Sequence, residues 1–474
     1  MVNSQWLMEA KRGRLALNKT QSLAASLFEG TRYQGSFLRQ LTIDMGTAFC
    51  PLPQKSERND TMIDSQKITN RFLNYVSFDT RSSEENDREL PSTPGQMVLA
   101  RFLAEELKSL GLTDVSLDDQ GYVMGTLPAT AGITGSTVGF IAHMDTSPEA
   151  SGKDVKPLLV RNYDGKDILL NRDKQILFST EDFPEVKKYR GQDILFTDGT
   201  TLLGADDKAG VAAIVTALEY FRDHPEIPHG TLRVGFTPDE ETGRSSSAFD
   251  VAKFGADFAY TVDGGELGGL EYENFNADNP VITFHGRSVH TGSAKGKMKN
   301  ALTLAMEWQQ ALPAGEKPEY TEGYEGFFHV HKITGDVETC KIHMLIRDHD
   351  KKHFEERKAF LDRLAAFLNE KYGAGSVEVE HRDMYFNMGE KIRDGHMAVV
   401  ELAKEAMEAV GVTPSVDPIR GGTDGARLSW RGLPCPNLFT GGANFHGRFE
   451  YLPIPSLVKA CEAVVEIGKR GYRI

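Results

Sequence analysis

Four short apolar runs in this chain each give way to an imidazole or a carboxylate. "VGFIA", Val138 to Ala142, hands over to His143-Met144-Asp145. "TLRVGFTPDEETG" is apolar through Phe236 and then reads Asp239-Glu240-Glu241. "FAYTV" ends at Asp263, and "PNLFTGGANFHG" ends near His446. Short apolar runs bounded by turn residues read as buried strands. In an open α/β sheet, ligands bind beyond the carboxyl ends of such strands. A fifth segment, "LLGADDKAG", places Asp206 and Asp207 in a Gly-rich loop before a helix. The spacing of Val211, Ile214, Val215, Leu218 and Phe221 starts that helix near Lys208.

Five carboxylates aimed at one edge, Asp145, Asp206, Glu240, Glu241 and Asp263, would repel one another and be driven to protonate. A divalent cation removes that conflict, and two remove it more completely. Imidazole with carboxylate suits zinc first, with cobalt or manganese in related chemistry. Two metals roughly 3.5–4 Å apart need a bridging carboxylate and terminal ligands on each side. His143 and His446, with the acids, meet that count.

Bulk properties leave room for such a site and exclude others. The 474 residues, 40% hydrophobic and 26% charged, suit two or more globular domains. A formal charge of -14 argues against nucleic acid or an anionic membrane as partner. No apolar stretch reaches the roughly 18–20 residues that span a bilayer. The four cysteines lack CxxC spacing, so a cytoplasmic protein without a disulfide framework is expected. There is no GxSxG elbow and no HExxH helix. "HVH" at His329 and His331 has strand spacing but no evident carboxylate partner, so it reads as strand surface.

Residues 1–61 mix Ser, Thr, Gln and Arg with short apolar patches and read as an extension, with Met62 the expected natural start. An amphipathic helix follows, carrying Ile68, Phe72, Leu73, Tyr75 and Val76 on one face. Another, from His396 to Val410, stops at Gly411. Alternating strands and helices predict an α/β catalytic domain over 62–275 and 388–474, a mixed sheet flanked by helices. Between them, 276–387 reads β-α-β-β-α-β, an inserted ferredoxin-like α+β domain. Its hairpin turns at Gly335-Asp336, and its second helix points Phe360, Leu361, Leu364, Phe367 and Leu368 inward.

"HMDTSP", "GADDKAG", "DEETG", "VDGG" and "NFHGRFE" resemble, in order and approximate separation, the motifs of the co-catalytic zinc peptidases related to aminoacylase and carboxypeptidase G. "RFLNYVSFDTRS", "TTLLGADDKAG", "RGGTDGARLS" and "IRDHDKKHFEERK" are similar to the tripeptide aminopeptidases among them, from about Met62 to the C-terminus. The resemblance implies that His143 and Asp263 hold one metal, Glu241 and His446 the other, and that Asp206 bridges. It implies that Asp145 backs His143, that Glu240 is the general base, and that the Asp206-Asp207 peptide is cis. The inserted domain would serve as lid and dimerisation unit. His290 would reach the oxyanion from the second subunit of a homodimer, with Thr291 where relatives have proline.

The implied reaction is removal of the N-terminal residue from short peptides with a free N-terminus. Such an enzyme must sense a C-terminal carboxylate, for which an arginine fork is suited. Arg347 and Arg420 are candidates, with Asn300 as a polar helper, although either arginine could equally form an ordinary ion pair. A deacylase or dipeptidase of the same fold, and a non-catalytic metal- or peptide-binding protein, are the alternative readings.

Overall fold

The computed structural model describes residues 62–86 and 88–474. The expectations for residues 1–61, and Cys50, lie outside the described residues.

The chain opens with α1 (Ser65–Val76), capped by the Asp64 carboxylate, and α2 (Pro94–Ser109). Next come β1 (Thr113–Leu117), β2 (Val123–Leu127) and β3 (Val138–His143). Residues 157–197 add two small antiparallel sheets, one of them completed by Leu452–Pro453. Then follow α3 (Ala205–Asp223), β4 (Leu232–Thr237), β5 (Phe258–Gly264) and β6 (Leu270–Glu271). The segment that forms the second sheet runs through β7 (Asn276–Asp278), β8 (Val281–His285), α4 (Ala301–Ala311), β9 (Phe327–Gly335), β10 (Thr339–Asp348), α5 (Lys351–Tyr372), β11 (Val377–Glu380) and β12 (Asp383–Tyr385). The chain returns through α6 (Met397–Ala409), α7 (Asp424–Trp430), β13 (Asn437–Phe439) and α8 (Ile454–Arg470).

The first sheet has the order β1-β2-β4-β3-β5-β13-β6. Its centre, β4-β3-β5-β13, is parallel, and its flanking strands are antiparallel. This is the expected mixed α/β sheet. β3 is apolar from Val138 to Ala142 because both faces are covered: Val138, Phe140 and Ala142 pack under the helices, while Ile141 joins a second cluster with Phe249, Phe254 and Leu428. α3 lies directly on β5, and Gly210 permits it, since a Cβ there would sit 1.8 Å from the Val262 carbonyl oxygen. The parallel register sets His143 opposite Thr237, so β3 and β4 end together.

In the second sheet β8, β9, β10 and β11 pair in the order β11-β8-β10-β9, the arrangement of a ferredoxin-like unit. β7 and β12 extend it beside the far half of β10. α4 and α5 cover one face, with Trp308, Leu361 and Leu368 over Ile282, Phe284 and Ile342. The hairpin turns as expected after Gly335. Phe367 is a correction: it is 55% exposed. The buried stripe of α5 runs through Phe354, Leu361, Leu364, Ala365 and Leu368, and Phe367 falls beside it at helical spacing.

Three buried asparagines hold the two crossings between the sheets together. Asn274 N–H donates to Asn387 Oδ1 at 3.1 Å, Asn387 N–H to Asn276 Oδ1 at 2.9 Å, and Met388 N–H to Asn274 Oδ1 at 2.8 Å. The side-chain amides of Asn276 and Asn387 both donate to the His349 carbonyl. Asn387→Ala would strand the Asn274 and Gly389 amides, at about 1–3 kcal/mol per buried unpaired group. Chemical denaturation should therefore show a larger loss than for Asn300→Ala, which removes one helix cap worth about 1 kcal/mol.

Candidate metal centre

β3 ends at His143, whose imidazole is almost fully buried. Its Nδ1 lies 3.1 Å from the Asp145 carbonyl and 3.3 Å from Asp145 Oδ1. Both partners only accept, so Nδ1 carries a proton and Nε2 is the atom left to meet a metal. Nε2 faces Asp206 Oδ1 at 2.9 Å and Asp263 Oδ1 at 3.4 Å. His446 meets the other oxygen of the same carboxylate: its Nε2 is 3.2 Å from Asp206 Oδ2 and 2.9 Å from Glu241 Oε2. Asp206 thus stands between two imidazoles, with Asp263 on one side and Glu241 on the other.

The loop after β4 aims its acids by means of a fully buried hub. Asp239 accepts from Ser92 N–H, Gln96 Nε2 and Arg244 at 2.6–2.7 Å and fixes the start of the turn. The Asp145 carboxylate then takes the amides of Glu240 at 3.0 Å and Glu241 at 3.2 Å. One buried acid therefore orients His143, Glu240 and Glu241 together. The Asp206-Asp207 peptide is cis, and Asp207 is turned to the backbone, accepting from His143 N–H at 3.2 Å.

The electrostatics are those of a cluster short of positive charge. Burial pushes Glu241 up to about 7, with the charge of Asp206 adding and His446 opposing. Burial also pushes Asp263 up to about 7 against the pull of His143. Glu240 stands well above the usual carboxylate range through burial and, after the opposing His143, the charges of Asp263 and Asp424. Hydrogen bonds to Asp206 and Glu241 raise His446 to about 11. Burial lowers His143, but Asp263 and the bonds to Asp145 and Asp206 more than reverse it. Glu241 Oε1 is buried with no hydrogen-bond partner. Each Nε2 faces carboxylate oxygens across a gap that only a proton or a cation can fill, so the donor set fits divalent metal on both sides of Asp206.

The structure gathers His143, Asp145, Asp206, Glu240, Glu241, Asp263 and His446 and leaves the remaining candidates apart. His290 is exposed, and its Nδ1 accepts from Gly292 N–H. Asn300 caps α4 through the Leu302 amide. Arg420 donates to the carbonyls of Thr321, Gly323 and Glu325 and packs over Phe275 and Phe327, so its fork is already engaged by a turn. Arg347 binds Asp278 O and Asn279 Oδ1 and lies 5.7 Å from the Tyr385 ring. Tyr385 lines a cavity of about 250 Å³ with Glu240, Glu241, Asp424, Arg427 and His446. Sequence reasoning missed Tyr385, Asp424 and Glu450. The two acids sat within recognised motifs, but nothing local separates a hub from a ligand.

The model of peptidase family M20/M25/M40 matches residues 202–470. Peptidase T of Clostridium novyi is 57% identical over 402 residues, 85% of this chain and 98% of that protein. The aminopeptidase PepT of Bacillus cereus superposes with a TM-score of 0.68 at 27% identity, over 86% of this chain and 99% of that one. A tripeptidase of Staphylococcus aureus shares the fold, with a TM-score of 0.68 at 23% identity over 87% and 100% of the two chains. The chain belongs to peptidase family M20, and within it to the peptidase T group.

Proposed function

We propose that this chain is a metal-dependent aminopeptidase that releases the N-terminal residue of tripeptides. The observation that carries the reading is Asp206, set between the Nε2 atoms of His143 and His446. In this reading His143 and Asp263 would hold one divalent ion, Glu241 and His446 would hold the other, and Asp206 would serve both. Zinc suits these ligands, as do cobalt and manganese. When bound, the ions neutralise the acids, polarise the scissile carbonyl and lower the pKa of water.

The chain's own groups do the remaining work. Glu240 makes no direct contact with either imidazole in the cluster, which suits a base that takes a proton from the attacking water and returns one to the leaving amine. Asp145 holds the His143 tautomer and the Glu240 backbone in one geometry. The cavity lined by Tyr385, with Arg347 behind it, is the place for the peptide beyond the cleaved bond. Its modest size suits a short substrate, and the arginine suits its terminal carboxylate. Arg420 and Asn300 have no part in this reading.

A homodimer completes the proposal, with residues 276–387 as the lid and dimerisation domain between 62–275 and 388–474. His290 of the partner subunit would then meet the oxyanion. Buried free thiols at Cys340, Cys435 and Cys461 suit a reducing cytoplasm. Among the described residues no helix is long and apolar enough to cross a membrane.

Three experiments test the function. A chelator should abolish hydrolysis of a free tripeptide, and zinc, cobalt or manganese should restore it. An N-acetylated amino acid should not be cleaved; cleavage of that compound alone would indicate a deacylase instead. Glu240→Gln should lower kcat by about 10²–10⁴-fold, the range of general acid–base catalysis, with metal content by elemental analysis unchanged. Parental turnover in that variant would remove Glu240 from the mechanism.

A further inference from the structure

Glu450 is a carboxylate that the proposed chemistry does not use, and it is 1% exposed. Its two oxygens accept four consecutive backbone amides. Oε2 takes Leu203 N–H at 2.6 Å and Gly204 N–H at 2.8 Å; Oε1 takes Ala205 N–H at 2.7 Å and Asp206 N–H at 3.1 Å. These amides lead into α3: Gly204, just before it, has φ 81°, and Asp206 and Asp207 in its first turn depart from helical dihedrals. A helix start has no carbonyls of its own for its first amides. Without Glu450 four buried donors would be left in the loop that carries Asp206.

The same short turn supplies both of the groups that act on Asp206. Residues 443 and 451 pair across its base, and His446 has φ 62° within it. From this turn His446 faces the Asp206 side chain and Glu450 grips the Asp206 main chain. We propose that Glu450 is a positioning residue for the bridging carboxylate. It locks the 203–206 backbone so that the two Asp206 oxygens point at opposite imidazoles, and it couples that lock to the placement of His446. The proposal rests on the dinuclear reading above. A glutamine is nearly isosteric, but its amide nitrogen would present hydrogens to two of the four donors. The loop would have to shift, and Asp206 with it.

The test is calorimetric titration of the chelator-stripped full chain with zinc, alongside circular dichroism and thermal melting. The parental chain should take up two equivalents; fewer would count against the dinuclear reading itself, before any variant is made. Glu450→Gln should keep the far-UV spectrum yet bind at least one equivalent ten-fold or more weakly. Glu450→Asp, which keeps the charge on a shorter arm, should recover part of that loss. If Glu450→Gln does not fold, the Asp variant alone decides, again by weaker zinc uptake. Parental zinc affinity in the folded variants, with only a lower melting temperature, would overturn the proposal. So would loss of fold in both, since Glu450 would then be holding the domain rather than the Asp206 loop.

Discussion

The approach of Asp206 to both His143 and His446 is the interaction around which this molecule is organised. Bringing one carboxylate to two imidazoles, with Glu241 and Asp263 at the flanks, concentrates negative charge in a buried place. Water reaches it only from the side of His446, whose side chain is 40% exposed, so protons or metal ions must neutralise the rest. The rest of the architecture meets the geometric demands of that concentration. A parallel sheet ends several strands at one edge, helices on both faces keep those strands rigid, and buried acids tie down the loops that carry the ligands.

The supporting acids divide the labour by what they accept. Asp145 accepts from the amides of Glu240 and Glu241 and backs the His143 ring. Asp239 gathers Ser92, Gln96 and Arg244 beneath the following turn. Asp424 accepts from Thr237 Oγ1 at 2.9 Å and from the Ser245 hydroxyl, tying the start of α7 to the same loop. None of these is satisfied by lysine. Asp145 and Asp424 are held by backbone amides and hydroxyls beside the His143 ring, whereas Asp239, set deeper under the turn, also pairs with Arg244 at 2.7 Å. The second sheet is joined by a different device, the Asn274–Asn276–Asn387 clasp, which is neutral and fully internal. A neutral clasp keeps the crossings fixed without adding to the charge of the cleft.

The legible parts of the fold were those where one period dominates. The β3 and β5 runs, the stripe of α1 and the start of regular helix at Lys208 are local patterns, and each is where the spacing puts it. Phe367 shows the limit: an apolar residue on an apolar-rich helix reads as inward, yet the stripe that packs is narrower than the composition suggests. Arg420 shows a second limit. Arginine beside Gly-Gly in a motif reads as a ligand-binding fork, but Phe275, Phe327 and three carbonyls, all distant in sequence, claim it first.

By itself the sequence determined the alternation of strands and helices, the residues at the strand ends and the excess of acid there, because these follow from period and residue type over a few positions. Which acid faces the two imidazoles and which holds a loop is decided only in three dimensions. Asp206 and Glu450, Asp145 and Asp239 are chemically alike. What separates them is the direction from which imidazoles or backbone amides approach, and those groups come from segments up to 247 residues away.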